Sequence, residues 1–374
     1  MKSTFAKASL FCLAFLSRLA QAETLPPPDK CYGVIELGSK GIKAIVVEDK
    51  GKDTKKMLLP PLMIEEFKPR NKNAYDGDTA PQVAAEVLNI KSAMLGKYHM
   101  PENHVYVVMS SGIPEAVKEK LQSKQVAGVE LDSIDVATES RLVFQGIVPP
   151  HRLHKNEVVV LDIGSGNSKG SYLEEPPPAA TFETYSLPMG TGTFAKAVTN
   201  LRQNADNFKT AADKLAGEQL VGPLQSQIRN KPGMQNCRRL YLAGGLPYVM
   251  ITLLHPERIG SKDPEDPTGT KTSDWVPLSI SDIKRFYDIA TTNPAELLKP
   301  DRNKLRAGDL KAANEELDRA AGIFSQDELT AGAVLLKLFM DNMHAERKEG
   351  IFFSRRALYA WPQGYVKEKI TAKP

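Results

Sequence analysis

Short apolar runs that end in an acid and a glycine-rich turn alternate along this chain with segments of helical periodicity. The clearest run spans residues 158–172, VVVLDIGSGNSKGSY. Its apolar part is short and β-branched, which predicts a buried strand. Gly164, Ser165 and Gly166 predict a turn whose N–H groups converge on one point, as in phosphate-binding nests. Asp162 ends the strand and is placed to hold a hydrated Mg²⁺ beside such a phosphate, although a plain hairpin turn is the alternative.

A second copy of this pattern lies 126 residues earlier, in GVIELGSKGIKAIVVE at residues 33–48. Both copies run from an apolar strand through an acid, a glycine and a serine to a lysine. Two such hairpins one domain apart predict a duplicated α/β fold with a ligand between its halves. The aligned pairs are Asp162 and Glu36, Gly164 and Gly38, Ser165 and Ser39, and Lys169 and Lys43.

Hydrophobic spacing predicts further strands and helices around the two hairpins. Strands are expected at residues 56–68, 104–109, 129–137, 239–243 and 351–353. Helices are expected at residues 81–97, 113–122, 139–146, 204–228, 279–291, 295–298, 304–323 and 327–343. The basic tail after Arg356 predicts a frayed end, and residues 256–275 have the composition of a loop.

The length of 374 residues exceeds what a single core supports, so two domains are expected. A polar, proline-rich stretch at residues 148–156 predicts the boundary between them. We therefore expect an N-terminal domain at residues 23–150 and a C-terminal domain with helical additions at residues 151–374.

The first 22 residues have the features of a cleaved signal peptide. A basic start precedes an apolar run, and Ala-Gln-Ala ends the segment. The run is too short to cross a bilayer, so we expect export without a stable membrane span. The segment holds three basic residues and no acid, so the net charge falls from +4 to +1 on its removal. That balance gives no indication of nucleic-acid binding.

Two cysteines, Cys31 and Cys237, remain after the predicted cleavage, each just before a predicted strand in a different half. An oxidising compartment would allow them to pair, so a disulfide and two free thiols are both open. Neither cysteine has a nearby histidine or cysteine at metal-ligand spacing.

The two hairpins, together with LAGG at residues 242–245, resemble the actin, hexokinase and heat-shock-chaperone superfamily. The resemblance implies two actin-like (ribonuclease-H-like) domains that grip phosphates across a cleft, with Gly244 and Gly245 facing a nucleotide. Two more segments resemble the exopolyphosphatase / guanosine pentaphosphate phosphohydrolase family. They are TESRLVFQGI at residues 138–147 and SLPMG at residues 186–190. This resemblance implies a bacterial origin, and with the signal peptide a periplasmic location.

The family resemblance implies hydrolysis of a phosphoanhydride, releasing the terminal phosphate of polyphosphate or of guanosine pentaphosphate. In such chemistry a carboxylate orients water while Mg²⁺ and backbone amides neutralise phosphoryl charge. By position, the family's catalytic Glu falls on Glu139, and the Mg²⁺ contacts fall on Glu36 and Asp162. The expected phosphate-binding residues are Gly38, Ser39, Gly164, Ser165, Gly166, Asn167 and Lys169.

Several positions depart from the family pattern. Glu36 stands where the family has Asp, and Lys169 stands where it has a Glu expected to contact the metal or water. Pro114 replaces a phosphate-binding Arg, and the family's C-terminal Gly-Leu-Arg-Glu-Gly is not recognisable near Arg355. The change at Lys169 alters the local charge by two and removes a metal ligand.

Three functions follow from these motifs. In the first, Lys169 and Lys43 bind phosphate and take over part of the metal's role in a divergent hydrolase of polyphosphate or a related phosphorylated molecule. In the second, a degraded site binds a phosphate or nucleotide ligand, or another protein, as a sensor or adaptor. The third is a phosphotransferase with an unidentified acceptor. A homodimer is an assembly that the sequence leaves open.

Overall fold

The computed structural model describes residues 25–50, 62–70, 80–123, 130–152, 157–175, 181–202, 207–260, 274–306 and 310–372. The predicted signal peptide at residues 1–22 lies outside the described residues. Among the described helices, none combines the length and the apolar character that a membrane crossing requires.

The first sheet contains the first hairpin at its centre. Its strands are β1 (Cys31–Gly38), β2 (Gly41–Glu48), β3 (Leu62–Arg70), β4 (Val105–Met109) and β5 (Leu131–Ser133). They lie in the order β3-β2-β1-β4-β5, with β1 antiparallel to β2 and parallel to β4. The strand predicted at residues 129–137 is shorter than expected, because Asp135 caps a helix and the chain turns helical at Val136.

The second sheet repeats this topology and adds one strand. Its strands are β6 (Val158–Ile163), β7 (Ser168–Glu175), β8 (Thr181–Leu187), β9 (Arg239–Ala243), β10 (Trp275–Leu278) and β11 (Gly350–Ser354). The order is β10-β11-β9-β6-β7-β8, so β8-β7-β6-β9-β11 matches the whole first sheet in order and direction. The predicted duplication is therefore confirmed. The added strand β10 begins at the end of the segment that was expected to be a loop.

Helices cover the sheets and extend the second half. They are α1 (Ala80–Tyr98), α2 (Glu115–Ser123), α3 (Val136–Ile147), α4 (Thr191–Leu201), α5 (Phe208–Gln219), α6 (Val221–Asn230), α7 (Gly233–Asn236), α8 (Gly245–Leu254), α9 (Ile280–Thr292), α10 (Pro294–Leu297), α11 (Leu310–Ala321), α12 (Gln326–Asn342) and α13 (Ala360–Thr371). The helical pattern expected at residues 204–228 is observed from Phe208 onward, but not as one continuous helix. Two helices replace it, because Pro223 has no N–H to donate to the carbonyl of Gln219.

The C-terminal tail is a packed helix, so the expectation of a frayed end is wrong. Helix α13 buries Trp361 and Val366 and packs against α3 and β1. These buried side chains hold the helix in place despite the basic composition of the tail. The tail thereby connects the two halves of the fold, and the domain boundary near residue 150 stays a prediction.

Two apolar clusters form the core. One lies under the first sheet and α1, and the larger one fills the second half and includes the buried side of α3. Cys31 and Cys237 are buried in different clusters and are free thiols. The sequence left open a disulfide or two free thiols, and the structure contains the free thiols.

Candidate active site

A cavity of about 380 Å³ lies where the two hairpins face each other. Every residue expected to bind phosphate, nucleotide or metal, and the expected catalytic glutamate, lines it. These residues are Glu36, Gly38, Ser39, Glu139, Asp162, Gly164, Ser165, Gly166, Asn167, Lys169, Gly244 and Gly245. The duplicated motifs thus converge on one site, with contributions from both sheets.

Strand register sets an acid opposite a lysine in each hairpin. Glu36 pairs with Lys43 between β1 and β2, and Asp162 pairs with Lys169 between β6 and β7. The side chains follow the backbone, with 2.7 Å between Lys43 Nζ and Glu36 Oε2 and 3.2 Å between Lys169 Nζ and Asp162 Oδ2. Directly opposed strand residues lie close enough for such pairs. Each half therefore contains its own acid–lysine ion pair, in addition to its own glycine turn.

Lys169 is among the most enclosed charges of the site, since its side chain, like that of Glu139, is only 4% exposed. Its ammonium lies 3.0 Å from Glu139 Oε1 and 3.2 Å from Asp162 Oδ2, and it donates to Asn167 Oδ1 at 3.1 Å. Burial opposes the charge, yet the two carboxylates raise the pKa of Lys169 above its usual value. An ammonium has three N–H donors, and these three oxygens match them. These contacts engage the donors that Lys169 would offer to a phosphate, and its expected role as a phosphate-binding residue stays a prediction.

Glu139 is buried in the first turn of α3 and faces the second hairpin. Its Oε2 accepts a hydrogen bond from the backbone N–H of Ser111 at 2.8 Å, while Oε1 receives Lys169. Burial disfavours ionisation, but Lys169 and Ser111 outweigh it and lower the pKa of Glu139 below its usual value. Glu139 is therefore an ionised acceptor rather than a strong base. A carboxylate offers about four lone-pair sites, so it can still accept a hydrogen bond from a water molecule.

Glu36 occupies in the first hairpin the place that Asp162 occupies in the second, but its contacts are different. Burial raises the pKa of the Glu36 carboxyl, although Lys43 opposes that shift. Lys43 also donates to the backbone carbonyl of Leu358 at 3.2 Å. The first hairpin is thus tied to the chain segment that leads into α13.

The second turn packs directly on the loop after β4. A Cβ on Gly166 would lie 1.9 Å from the carbonyl oxygen of Gly112, so only glycine permits this approach. The Asn167 side chain donates to Ser111 Oγ at 3.0 Å across the same contact. This packing brings the Ser111 amide to Glu139. Within the described part of the chain, the buried hydroxyl of Ser165 has no hydrogen-bond partner, so it is available to a ligand.

Gly244 closes the floor of the cavity beside Asp162. Its φ of +89° is in the left-handed region, and a Cβ there would lie 2.3 Å from Asp162 Oδ1. The Gly-Gly turn therefore brings its backbone against the acid of the second hairpin and starts α8. This is the close approach that a glycine pair allows.

Several lining residues were missed by the sequence analysis. Lys40 of the first turn forms an ion pair with Glu328 at the start of α12, 2.5 Å away, and lies 5.9 Å from the Phe324 ring. Arg319 lies over the ring of Tyr248 at the other end of the cavity. Leu358 and Trp361 come from the tail. Arg319, Leu358 and Trp361 lie in helices far along the chain, where no local motif marks them, whereas Lys40 lies inside the first turn itself.

The carboxylates do not form a site that fits a divalent cation. Over the described ranges, no three His, Cys, Asp or Glu side chains gather as metal ligands. The expected ligand Asp162 faces the Lys169 ammonium, and Glu36 faces Lys43. Mg²⁺ requires oxygen ligands at about 2.0–2.1 Å in near-octahedral geometry. Lysine ammoniums stand where such an ion would contact these acids.

A model of the Ppx/GppA phosphatase family matches residues 104–235, which include Glu139 and the second hairpin. The fold is similar to that of an exopolyphosphatase from Cytophaga hutchinsonii, with a TM-score of 0.60 at 14% identity over 91% of this chain and 98% of that chain. It is also similar to a Ppx/GppA family member from Aquifex aeolicus, with a TM-score of 0.56 at 16% identity over 92% and 99%. These similarities confirm the two-domain actin-like fold. No curated protein matches the sequence.

Proposed function

Residues 104–235 match a model of the Ppx/GppA phosphatase family and the fold is similar to that of solved exopolyphosphatases, and from this premise we propose that the chain is a divergent exopolyphosphatase-like phosphoanhydride hydrolase. The observation that carries the proposal is the position of Glu139. Its ionised carboxylate lines the same cavity as the turn from Gly164 to Gly166, and the Lys169 ammonium contacts both Glu139 and Asp162.

In the proposed reaction, the two glycine turns bind the end of a phosphate chain through backbone amides and the hydroxyls of Ser39 and Ser165. Glu139 accepts a hydrogen bond from a water molecule and orients it toward the terminal phosphorus. The water oxygen bonds to that phosphorus as the bond to the bridging oxygen breaks, which releases orthophosphate and a chain shortened by one. Phosphoryl transfer needs positioning and charge stabilisation more than a strong base, so a Glu139 of low pKa suits it.

Linear polyphosphate is the proposed substrate, with another phosphorylated molecule of the cell envelope as the second choice. Four cationic side chains, Lys40, Lys43, Lys169 and Arg319, line the cavity against the three carboxylates of Glu36, Glu139 and Asp162. Lys43 and Lys169 offset two of these three negative charges, and Lys40 and Arg319, each paired with a glutamate outside this set, bring further positive charge to the place where a polyanion would bind. The predicted export favours polyphosphate over nucleotides.

The test is orthophosphate release by the full chain from polyphosphate and from nucleoside triphosphates, with and without Mg²⁺. Glu139→Gln keeps the shape of the side chain and removes its charge, so release is expected to fall by about a hundredfold or more. Glu257→Gln is the matched control, because Glu257 is a paired carboxylate outside the cavity. Equal rates for wild type and Glu139→Gln would contradict the proposal.

A second function is supported by the same contacts around Glu139. Because Lys169 and Ser111 hold both oxygens of its carboxylate, Glu139 is a weaker base than an unpaired glutamate. The protein would then bind a phosphate chain without cleaving it, as a sensor or adaptor. Tight polyphosphate binding by calorimetry, with no release of phosphate from any substrate, would favour this alternative.

A further inference from the structure

Lys169 contacts the acids of the site in the way that a bound cation would. Its ammonium is surrounded by oxygens of Glu139, Asp162 and Asn167 at 3.0 to 3.2 Å. These oxygens come from three different places in the fold: helix α3, the end of β6 and the second turn. The lysine therefore links helix α3, strand β6 and the second turn, as a metal ion bound by the same side chains would.

The first hairpin contains a smaller version of the same arrangement. Lys43 lies between the Glu36 carboxylate and the Leu358 carbonyl, at 2.7 and 3.2 Å. The two lysines occupy equivalent strand positions, each opposite the acid of its own hairpin. Each acid expected to bind a metal thus has a lysine ammonium of the protein beside it.

We propose that Lys169 is a built-in substitute for a divalent cation, so that the cleft handles phosphate without a metal bound to Glu139 and Asp162. Lys169 acts as a positioning residue. It offsets one of the two negative charges beside the phosphate site, and it keeps Glu139 directed at the second turn. It does so with all three N–H donors engaged by the protein, so it does not contact the phosphate itself. The part of this inference that concerns phosphate rests on the proposed function, whereas exclusion of the metal does not.

Electrostatics explain why the lysine and a divalent ion exclude each other at this site. A metal ligated by Glu139 and Asp162 would lie only a few ångströms from the ammonium, where like charges repel strongly even at an effective dielectric constant of about 20. The lysine is buried, and moving its side chain away would unpair both acids. Replacing Lys169 by glutamine removes the repulsion and adds an amide oxygen as a further ligand.

The test is a titration of the full chain with Mn²⁺ in the absence of phosphate. Binding is measured by calorimetry and by the electron paramagnetic resonance signal of free Mn²⁺. We expect no stoichiometric binding to the wild type. Lys169→Gln is expected to bind one Mn²⁺ at least about a hundredfold more tightly, and Mn²⁺ should raise its melting temperature. Lys40→Gln is the charge-matched control at the rim of the same cavity, and it should behave like the wild type.

Two results would overturn the inference. One is stoichiometric Mn²⁺ binding to the wild type that is lost in Asp162→Asn. The other is a folded Lys169→Gln that binds Mn²⁺ no more tightly than the wild type. If Lys169→Gln does not fold, the wild-type titration with its Asp162→Asn partner still decides. Because no step of this titration involves hydrolysis, its failure is distinct from failure of the hydrolase proposal.

Discussion

Replacing Lys169 by methionine should destabilise the protein strongly at neutral pH and much less in acid. The substitution keeps the length of the side chain and removes its charge. It leaves Glu139 and Asp162, both nearly buried, without the ammonium that lies 3.0 and 3.2 Å away. Breaking a buried ion pair by removing one partner costs about 3–5 kcal/mol, since the other charge stays buried and unpaired.

The pH dependence of that cost follows from the carboxylates. In the wild type, Lys169 holds the pKa of Glu139 below its usual value, so the stability from this pair is present above about pH 4.5 and is lost only as pH falls through the lowered pKa. In the methionine variant Glu139 loses that neighbour while burial still disfavours its ionised form, so the folded pKa of Glu139 rises above its unfolded value. Stability of the variant then falls as pH rises.

Protonation limits how far the variant can be destabilised. Protonating a glutamate at pH 7 costs roughly 3.7 kcal/mol relative to a reference pKa of about 4.3, at about 1.4 kcal/mol for each pH unit. The difference in unfolding free energy between wild type and variant should therefore be about 3–4 kcal/mol at pH 7 and shrink to roughly 1 kcal/mol at pH 5.

Urea unfolding, followed by far-ultraviolet circular dichroism at several pH values, measures this difference. Lys40→Met is the control, because the pair of Lys40 with Glu328 is partly exposed and such pairs contribute only about 0–1 kcal/mol. A Lys169→Met variant as stable as wild type at pH 7 would refute the reasoning. A destabilisation that does not change with pH would also refute it, because packing alone would then explain the loss.

Three further predictions concern the turn, the tail and the thiols. Gly166→Ala should lower the unfolding free energy by about 1–3 kcal/mol and weaken polyphosphate binding in calorimetry, because the added Cβ meets the Gly112 carbonyl. Gly217→Ala is the control and should not destabilise the fold, because Gly217 lies on an open helix surface. Trp361→Ala should lower the unfolding free energy by about 3–5 kcal/mol in urea, since this side chain packs the tail helix beside the cavity. Burial raises the pKa of the Cys237 thiol to about 11 and also raises that of Cys31, so iodoacetamide should label neither cysteine until the protein unfolds, as measured by mass spectrometry.

The fold and the lining of the cleft followed from local patterns. The repeated strand, acid and turn predicted two equivalent hairpins, and their glycines allowed the close approaches seen at Gly166 and Gly244. The seven-residue spacing from acid to lysine is the same in both hairpins, and that spacing could have predicted both cross-strand ion pairs.

The contact of the Lys169 side chain with Glu139 could not be predicted, because Glu139 lies 30 residues earlier in another element. The tail helix was missed for a related reason. Its composition is basic, and only the tertiary contacts of Trp361 and Val366 with distant elements make it stable. Long-range packing of this kind overrides local composition.

Hydrolysis of terminal phosphate without a protein-bound metal is tested most directly by the isotope content of released phosphate. Polyphosphate is incubated with the full chain in ¹⁸O-labelled water containing excess EDTA. We predict that orthophosphate is released with one ¹⁸O from the attacking water, and that Glu139→Gln releases far less. No release in EDTA that is restored by excess Mg²⁺, or ¹⁸O found in the shortened chain instead of in orthophosphate, would contradict the account.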